Sequence, residues 1–371
     1  MKYYLIAGEA SGDLHASNLM KEILKKDPAA EFRFWGGDKM ADVGGKPVKH
    51  IRDLAFMGFT EVLANLRTIL TNIQICEEDI LHFVPDALIL IDYPGFNLRI
   101  AKKIKPAGIK IFYYISPQVW AWKQSRVHKI KKLVDKMMVI LPFEKEFYQR
   151  FDYEVDFVGH PLLDAIQLKS EDEKVALRQL WNLENKKTVA LLPGSRKQEI
   201  SKMLPVMLQM QKYFPDIKFM IAGAPAIDEA FYRPFLNENA EIIYNQTYEL
   251  LSVADAALVT SGTATLETAL FNVPEVVCYK GGKISYHIAK KLIKVKYISL
   301  VNLIMDEPVI KELIQDDLNE QNLKSELHQL LFDENKIKKM KTDFENLRKK
   351  LGGGGASEVT ADLVLKTLGE S

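Results

Sequence analysis

Short, wholly apolar runs alternate along this chain with longer stretches in which apolar residues recur every three or four positions. Runs of the first kind mark strands buried on both faces, and helical stretches between them imply parallel sheets joined by crossovers. In the first half, strands are expected at residues 3–7, 33–36, 87–91, 110–115, 136–140 and 156–158. The helices between them are expected at 14–26, 61–82, 96–104, 124–133 and 144–150. A polar stretch at 169–187, carrying a helix at 171–181, then interrupts the pattern and reads as a domain junction. The same alternation resumes with strands at 189–192, 218–222, 241–244, 256–259 and 275–278.

The fold class is therefore α/β, with two Rossmann-like domains and the active site expected between them. Four glycines at 352–355 can continue neither the charged helix before them nor the last helix at 357–368. They are expected to form a hinge or crossover that returns the final helix to the first domain. This gives a first domain of 1–168 with 356–371 and a second of 169–351.

Chemistry concentrates where apolar runs end. Thr188–Leu192 breaks at Pro193-Gly194, and Ser195-Arg196 follow where a helix starts. Free N–H groups at such a start, together with an arginine, suit phosphate. A similar turn, Thr260-Ser261-Gly262-Thr263-Ala264-Thr265, precedes Glu267. Two such turns in one half point to a nucleotide diphosphate, with Gly194, Ser195, Arg196, Ser261, Gly262, Thr263, Ala264, Thr265 and Glu267 as candidate ligands.

The first half ends its strands in acids. Gly8-Glu9-Ala10-Ser11-Gly12-Asp13-Leu14-His15 lacks the glycine spacing of a dinucleotide fingerprint, and its acids would repel a pyrophosphate, so an uncharged sugar or acceptor fits better. Glu9, Ser11 and Asp13 are candidates there, with helix capping an equal explanation for Asp13. Asp92 ends the run Ala87–Ile91, where desolvation would raise its pKa into the range of a general base. Ser116-Pro117-Gln118-Val119-Trp120-Ala121-Trp122 lines either a cleft or a core corner. His160, in Gly159-His160-Pro161, either meets a ligand or bonds its own turn. Asn302 is a lone amide in the strand-like run 299–304 and needs a partner if buried, either backbone or nucleotide.

Composition narrows the class further. Fifty basic residues against 49 acidic ones argue against nucleic acid as a partner. Cys76 and Cys278 have no metal-type spacing and read as reduced thiols of a cytoplasmic protein. The apolar start is too short for a signal peptide, and no run is long enough to span a bilayer. Six lysines without an acid at 280–296, alternating with apolar residues, suit an anionic membrane surface. The stripe Met57–Leu63 with Leu66, Ile69 and Leu70 would either accept acyl chains or form the core face of a helix. No Asp-x-Asp pair and no His/Cys cluster suggests a metal or a cofactor, so a departing diphosphate would be neutralised by Arg196 and helix ends.

Several of these segments together resemble the lipid-A-disaccharide synthase family: Gly-Glu-Ala-Ser-Gly-Asp at 8–13, Ser-Pro-Gln-Val-Trp-Ala-Trp at 116–122 and Leu-Pro-Phe-Glu-Lys-Glu-Phe-Tyr at 141–148. Phe-Val-Gly-His-Pro at 157–161, Leu-Leu-Pro-Gly-Ser-Arg at 191–196 and Thr-Ser-Gly-Thr-Ala-Thr-Leu-Glu at 260–267 complete the set, in order along nearly the whole chain. The resemblance implies a GT-B fold, its parallel sheets facing across an interdomain cleft, with an acceptor-binding first domain and a UDP-sugar-binding second domain. It also implies the reaction of UDP-2,3-diacylglucosamine with 2,3-diacylglucosamine 1-phosphate to give a β-1,6 disaccharide phosphate and UDP. That reaction would take place at the cytoplasmic leaflet of the inner membrane, with a second copy of the chain left open as a partner.

By the resemblance, Arg196 and the 261–265 turn correspond to diphosphate contacts and Glu267 to a ribose ligand. Asp92, Glu9 and Asn302 fall on positions important for activity. Many relatives carry a second acid where this chain has Gly95, so no role of that acid transfers. An α-linked donor becoming a β-glycoside requires inversion, with Asp92, and after it Glu9 or Asp13, as the base. The rivals are another UDP-sugar enzyme such as a UDP-N-acetylglucosamine 2-epimerase, or a non-catalytic nucleotide-sugar-binding protein.

Overall fold

The computed structural model describes residues 1–53, 66–122, 124–225, 227–236, 240–260, 262–281 and 296–369, without the side chains of Leu66 and Trp122. The stretch 57–63, the lysines at 283, 290, 291 and 294, and Ser261 therefore lie outside the described residues. The chain forms two compact units, Met1–Ala165 with Leu351–Ser371, and Ile166–Lys350.

Among the described residues the first unit holds a seven-stranded, all-parallel sheet in the order β3-β2-β1-β4-β5-β6-β7. Its strands are β1 Lys2–Ala7, β2 Glu31–Gly36, β3 Lys46–His50, β4 Ala87–Ile91, β5 Lys110–Tyr114, β6 Lys136–Val139 and β7 Asp156–Phe157. Every residue of β4 and all of β1 after Lys2 are buried, as expected of central strands covered on both faces. β3 is an edge strand, and its sequence Lys-Pro-Val-Lys-His carries no apolar run to betray it. Helix Ala356–Gly369 packs on helix Ala10–Lys26. Its start is tied down by Asp164, which accepts the N–H groups of Gly355 and Ser357 at 2.6 and 2.8 Å.

The second unit holds six parallel strands in the order β10-β9-β8-β11-β12-β13. These are β8 Thr188–Leu192, β9 Lys218–Gly223, β10 Ala240–Tyr244, β11 Ala256–Val259, β12 Glu275–Tyr279 and β13 Lys311–Ile314. β13, half polar and at the edge, escapes the apolar pattern as β3 does. The strand-like reading of 299–304 is corrected: Leu300–Met305 is a helix, started by the Ser299 hydroxyl accepting the Asn302 N–H.

In each sheet the strand order reverses once beside the first strand of the unit. β1 leads outward to β2 and β3, and the chain then returns to lay β4 on the other side of β1. β8 and β11 stand in the same relation. At such a reversal the loops following two neighbouring strands diverge, leaving a crevice at their carboxyl ends.

Candidate functional site

The crevice of the first sheet lies where Ala7 pairs in register with Ile91, so the loops that follow begin with Gly8-Glu9 and Asp92-Tyr93. Both Asp92 and Tyr93 take left-handed backbone conformations, at φ 43° and 45°. Such strain persists only where surroundings over-determine it. Here Tyr113 donates to the Asp92 carbonyl at 2.6 Å, Asn97 Nδ2 donates to it at 2.8 Å, and the Asp92 N–H reaches Tyr114 O at 3.1 Å.

The Asp92 carboxyl is partly buried, and loss of solvent lifts its pKa to about 7, helped by the nearby charge of Glu9 and opposed by a hydrogen bond from the Tyr93 N–H. A carboxylate poised near neutrality is what general-base chemistry asks for. Glu9 is exposed, and its side chain caps nothing although it stands at the start of helix Ala10–Lys26. Ser11, exposed in the first turn of that helix, shares the same end of the sheet.

Asp13 is placed otherwise. It is 4% exposed, and its oxygens accept the backbone N–H groups of Gly37, Met40 and Lys39 at 2.7, 3.1 and 3.1 Å. These donors open helix Asp38–Val43, so Asp13 caps a helix 25 residues downstream of itself rather than its own. Its carboxylate is spent on backbone, which corrects its reading as a base. His160 likewise serves its turn: Nδ1 accepts the Leu162 N–H at 3.2 Å, and burial drives its pKa down to about 3, leaving a neutral ring.

The two motifs at 116–122 and 141–148 are locked together. Ser116 Oγ and Tyr148 Oη lie 2.6 Å apart, and the ring of Trp120 meets Phe143 edge-on at 5.0 Å. Glu144, 1% exposed, accepts the N–H groups of Leu141 and Ile140 at 3.0 and 3.3 Å. Burial raises its pKa to about 7 against those hydrogen bonds. Trp120 is thus part of a buried corner, at the carboxyl ends of β5 and β6.

In the second unit, β8 is followed by Pro193 and by Gly194 at φ 107°. A side chain there would be strained, and its Cβ would lie 2.6 Å from Glu199 Oε2. Arg196 stands at the N-cap position of helix Lys197–Leu208, and Glu199 Oε2 accepts the N–H groups of Ser195 and Arg196 at 3.2 and 3.3 Å. Across the reversal, Gly262 at φ 129° opens helix Thr263–Leu270. Gly262 and Thr263 are exposed and Ala264 half-buried, whereas Thr265 is fully buried with its hydroxyl donating to Gly262 O at 2.9 Å. The Thr265 side chain therefore fixes the turn, and what the turn offers a ligand is backbone. One turn further along, the Glu267 carboxylate accepts the Tyr248 hydroxyl at 2.8 Å; burial raises its pKa, which that hydrogen bond partly offsets.

Asn302 does not join this group. It is 1% exposed, its Nδ2 donates to Ile310 O and Glu312 Oε1 at 2.9 and 3.0 Å, and its Oδ1 accepts the Ile310 N–H at 3.0 Å. Both Nδ2 hydrogens are used within the fold, so in the described structure the buried amide braces residues 302–312. Glu312, which the sequence did not single out, is the hub: it also accepts the N–H groups of Ile298 and Ser299 and the Ser299 hydroxyl, at 3.0, 2.9 and 2.7 Å. Tyr93, Glu199 and Tyr248 were missed as well. Only Glu199 carried a signal, standing three residues after a helix start where a capping box places its acid.

Two Rossmann-like units, each with its polar and charged side chains gathered where its strand order reverses, define a GT-B-type fold. UDP-GlcNAc 2-epimerase from Neisseria meningitidis shares it, with a TM-score of 0.69 at 15% identity over 99% of this chain and 100% of that one. So does the glycosyltransferase of kitacinnamycin, with a TM-score of 0.67 at 12% identity and 99% coverage of both chains.

The particular family is fixed by sequence: residues 3–366 match the lipid-A-disaccharide synthetase family. Lipid-A-disaccharide synthases of Syntrophus aciditrophicus and Geobacter metallireducens are each 40% identical, covering 99% of this chain and 98% and 97% of theirs. The chain belongs to that family, and with it to the glycosyltransferases that form the lipid A disaccharide. Among the described residues no helix is long and apolar enough to cross a membrane.

Proposed function

We propose that the chain transfers 2,3-diacylglucosamine from its UDP derivative to the 6-hydroxyl of 2,3-diacylglucosamine 1-phosphate with inversion, releasing UDP. Asp92 takes the proton from the attacking hydroxyl, and Glu9 beside it keeps the Asp92 proton affinity high. In the second unit the N–H groups of Ser195, Arg196 and the 262–264 turn, with the Arg196 guanidinium, receive the diphosphate and stabilise the charge that develops on it as the glycosidic bond breaks. Glu267, held by Tyr248, accepts the ribose hydroxyls. No metal is invoked for the leaving group.

The observation that carries this reading is the placement of Asp92 with Glu9, and of the Gly194–Arg196 turn with Gly262 and Glu267, at the two strand-order reversals. Both substrates carry acyl chains, so the enzyme works at the surface of the membrane that holds them, on the cytoplasmic leaflet where UDP sugars are available. The test is incubation with UDP-diacylglucosamine and the monosaccharide phosphate. Disaccharide and UDP in equal amounts support the proposal, whereas isomerised UDP sugar, or binding without turnover, ends it. Asp92→Asn is expected to lose about 10²- to 10⁴-fold in turnover with UDP affinity retained.

A further inference from the structure

Gly8 directly follows β1 of the first unit, and the space its side chain would fill is taken by Tyr93. A Cβ on Gly8 would lie 2.3 Å from Tyr93 Cγ and 2.5 and 2.6 Å from the two Cδ atoms. No side chain other than hydrogen leaves room for the ring there. Tyr93 reaches this place through an unfavourable backbone, φ 45° and ψ 53°, in a residue that directly precedes Pro94. The proline ring pushes the residue before it toward extended conformations, so the left-handed state is opposed twice over. The cost is met by neighbours: the Tyr93 carbonyl accepts the N–H groups of Asn97 and Phe96 at 3.0 and 3.3 Å, and its ring stacks at a tilt on Phe96 with centroids 5.6 Å apart.

Tyr93 is only half-buried, and its hydroxyl has no hydrogen-bond partner among the described residues. The hydroxyl lies near enough to Glu9 for that carboxylate's charge to add to burial in raising its pKa. Beside it, Gly95 is exposed, and a side chain there would meet nothing within 4 Å. Strain, a glycine that yields its own space, and a hydroxyl with no partner among the described residues therefore converge one residue away from Asp92.

We propose that Tyr93 is the positioning residue for the acceptor sugar: its ring, seated over the Gly8 backbone, walls one side of the sugar, and its hydroxyl hydrogen-bonds a sugar oxygen so that the attacking hydroxyl faces Asp92. The inference rests on the reading of Asp92 as the base and adds a determinant that this reading does not require. Aromatic faces accept the C–H edges of a pyranose, and one hydrogen bond fixes its rotation. Tyr93 takes no proton in the reaction; its contribution is orientation.

The experiment is steady-state kinetics with 2,3-diacylglucosamine 1-phosphate as the varied substrate, alongside calorimetric titration with UDP and a melting curve for each variant. Tyr93→Phe keeps the ring and is expected to raise the acceptor KM about fivefold, the worth of one hydrogen bond, with UDP affinity and melting temperature unchanged. Tyr93→Ala is expected to raise the acceptor KM further and to lower kcat about tenfold, as orientation is lost. Gly8→Ala, which evicts the ring, is expected to behave like Tyr93→Ala, and to cost nothing more when added to it.

Acceptor kinetics unchanged in both Tyr93 variants would overturn the inference while leaving the assigned reaction standing. So would a Gly8→Ala effect that adds in full to Tyr93→Ala, or a parallel loss of UDP affinity and melting temperature in place of the KM change. A parent enzyme that makes no disaccharide would sink the reaction and this inference with it.

Discussion

Glu199 holds Arg196 twice: Oε2 accepts the arginine's backbone N–H at 3.3 Å, and Oε1 lies 3.5 Å from its guanidinium Nη1. The ion pair is exposed and contributes little by itself. The backbone contact matters more, because the same oxygen also takes the Ser195 N–H, and these two donors are the ones proposed to receive the diphosphate. A ligand phosphate has to displace one carboxylate oxygen and repel the rest of that charge. Glu199→Gln, which keeps an acceptor but drops the charge, is expected to bind UDP roughly three- to tenfold more tightly, since hydrogen bonds to a charged acceptor are about twice as strong as neutral ones. Glu199→Ala is expected to cost about 1 kcal/mol of stability through loss of the helix cap. Titration of UDP into both variants, with melting curves, checks this; equal or weaker binding by the glutamine variant would count against the turn as a diphosphate site.

As the proposed base, Asp92 is expected to set the pH dependence. As a base it must be ionised, and with its pKa raised to about 7 it is mostly protonated in acid, so kcat/KM is expected to fall tenfold per pH unit below that value and to level off above it. Burial is the larger cause of the shift and Glu9 the second. Glu9→Gln is therefore expected to move the acid limb to lower pH without abolishing it. A limb that stays in place would remove Glu9 from the electrostatics of the base, and a flat profile would remove Asp92 from the rate-determining chemistry.

Asn302 divides a brace from a ligand contact. Asn302→Ala strands the Ile310 N–H and C=O within a buried cluster and takes from Glu312 one of its donors. Leaving such groups unpaired costs about 1–3 kcal/mol each, so a loss of about 2–6 kcal/mol in unfolding free energy is expected. UDP affinity of the folded variant is expected to be unchanged, and Glu312→Ala should match or exceed the stability loss. A variant that keeps its stability but loses UDP binding would restore Asn302 to the nucleotide site.

These cases mark what the chain discloses on its own. Runs such as Ala87–Ile91 and Ala256–Val259 announce central strands because burial on both faces admits no polar residue. The edge strands Lys46–His50 and Lys311–Ile314 pass unnoticed because one side of each has no neighbour, and polar residues are tolerated there. The acids and glycines at the reversals were legible since they follow directly on apolar runs. Asp13 was not: its partners lie some 25 residues on, across a turn whose path no local pattern fixes. Glu312 and Asn302 find each other only after residues 300–305 fold as a helix, and a six-residue apolar run is read as a strand just as readily.

Glu275 stands at the start of β12 with no exposure, and neither carboxylate oxygen has a partner among the described residues. Burial alone pushes its pKa well above the ordinary carboxylate range, so folding favours the neutral form. The unfolded chain sheds this proton near pH 4.3, the ordinary value for a glutamate, while the folded chain keeps it to much higher pH. Between those two values the folded state binds more protons than the unfolded state, and stability declines as pH rises. Glu275→Gln preserves shape and removes the ionisation, so it is expected to resemble the parent near pH 4 and to exceed it increasingly toward pH 8. Urea unfolding of both proteins at pH 5 and pH 8 measures the difference. A gap that fails to widen with pH would mean that the carboxyl is ionised in the folded state, and hence that it has found a positive partner or water inside the sheet.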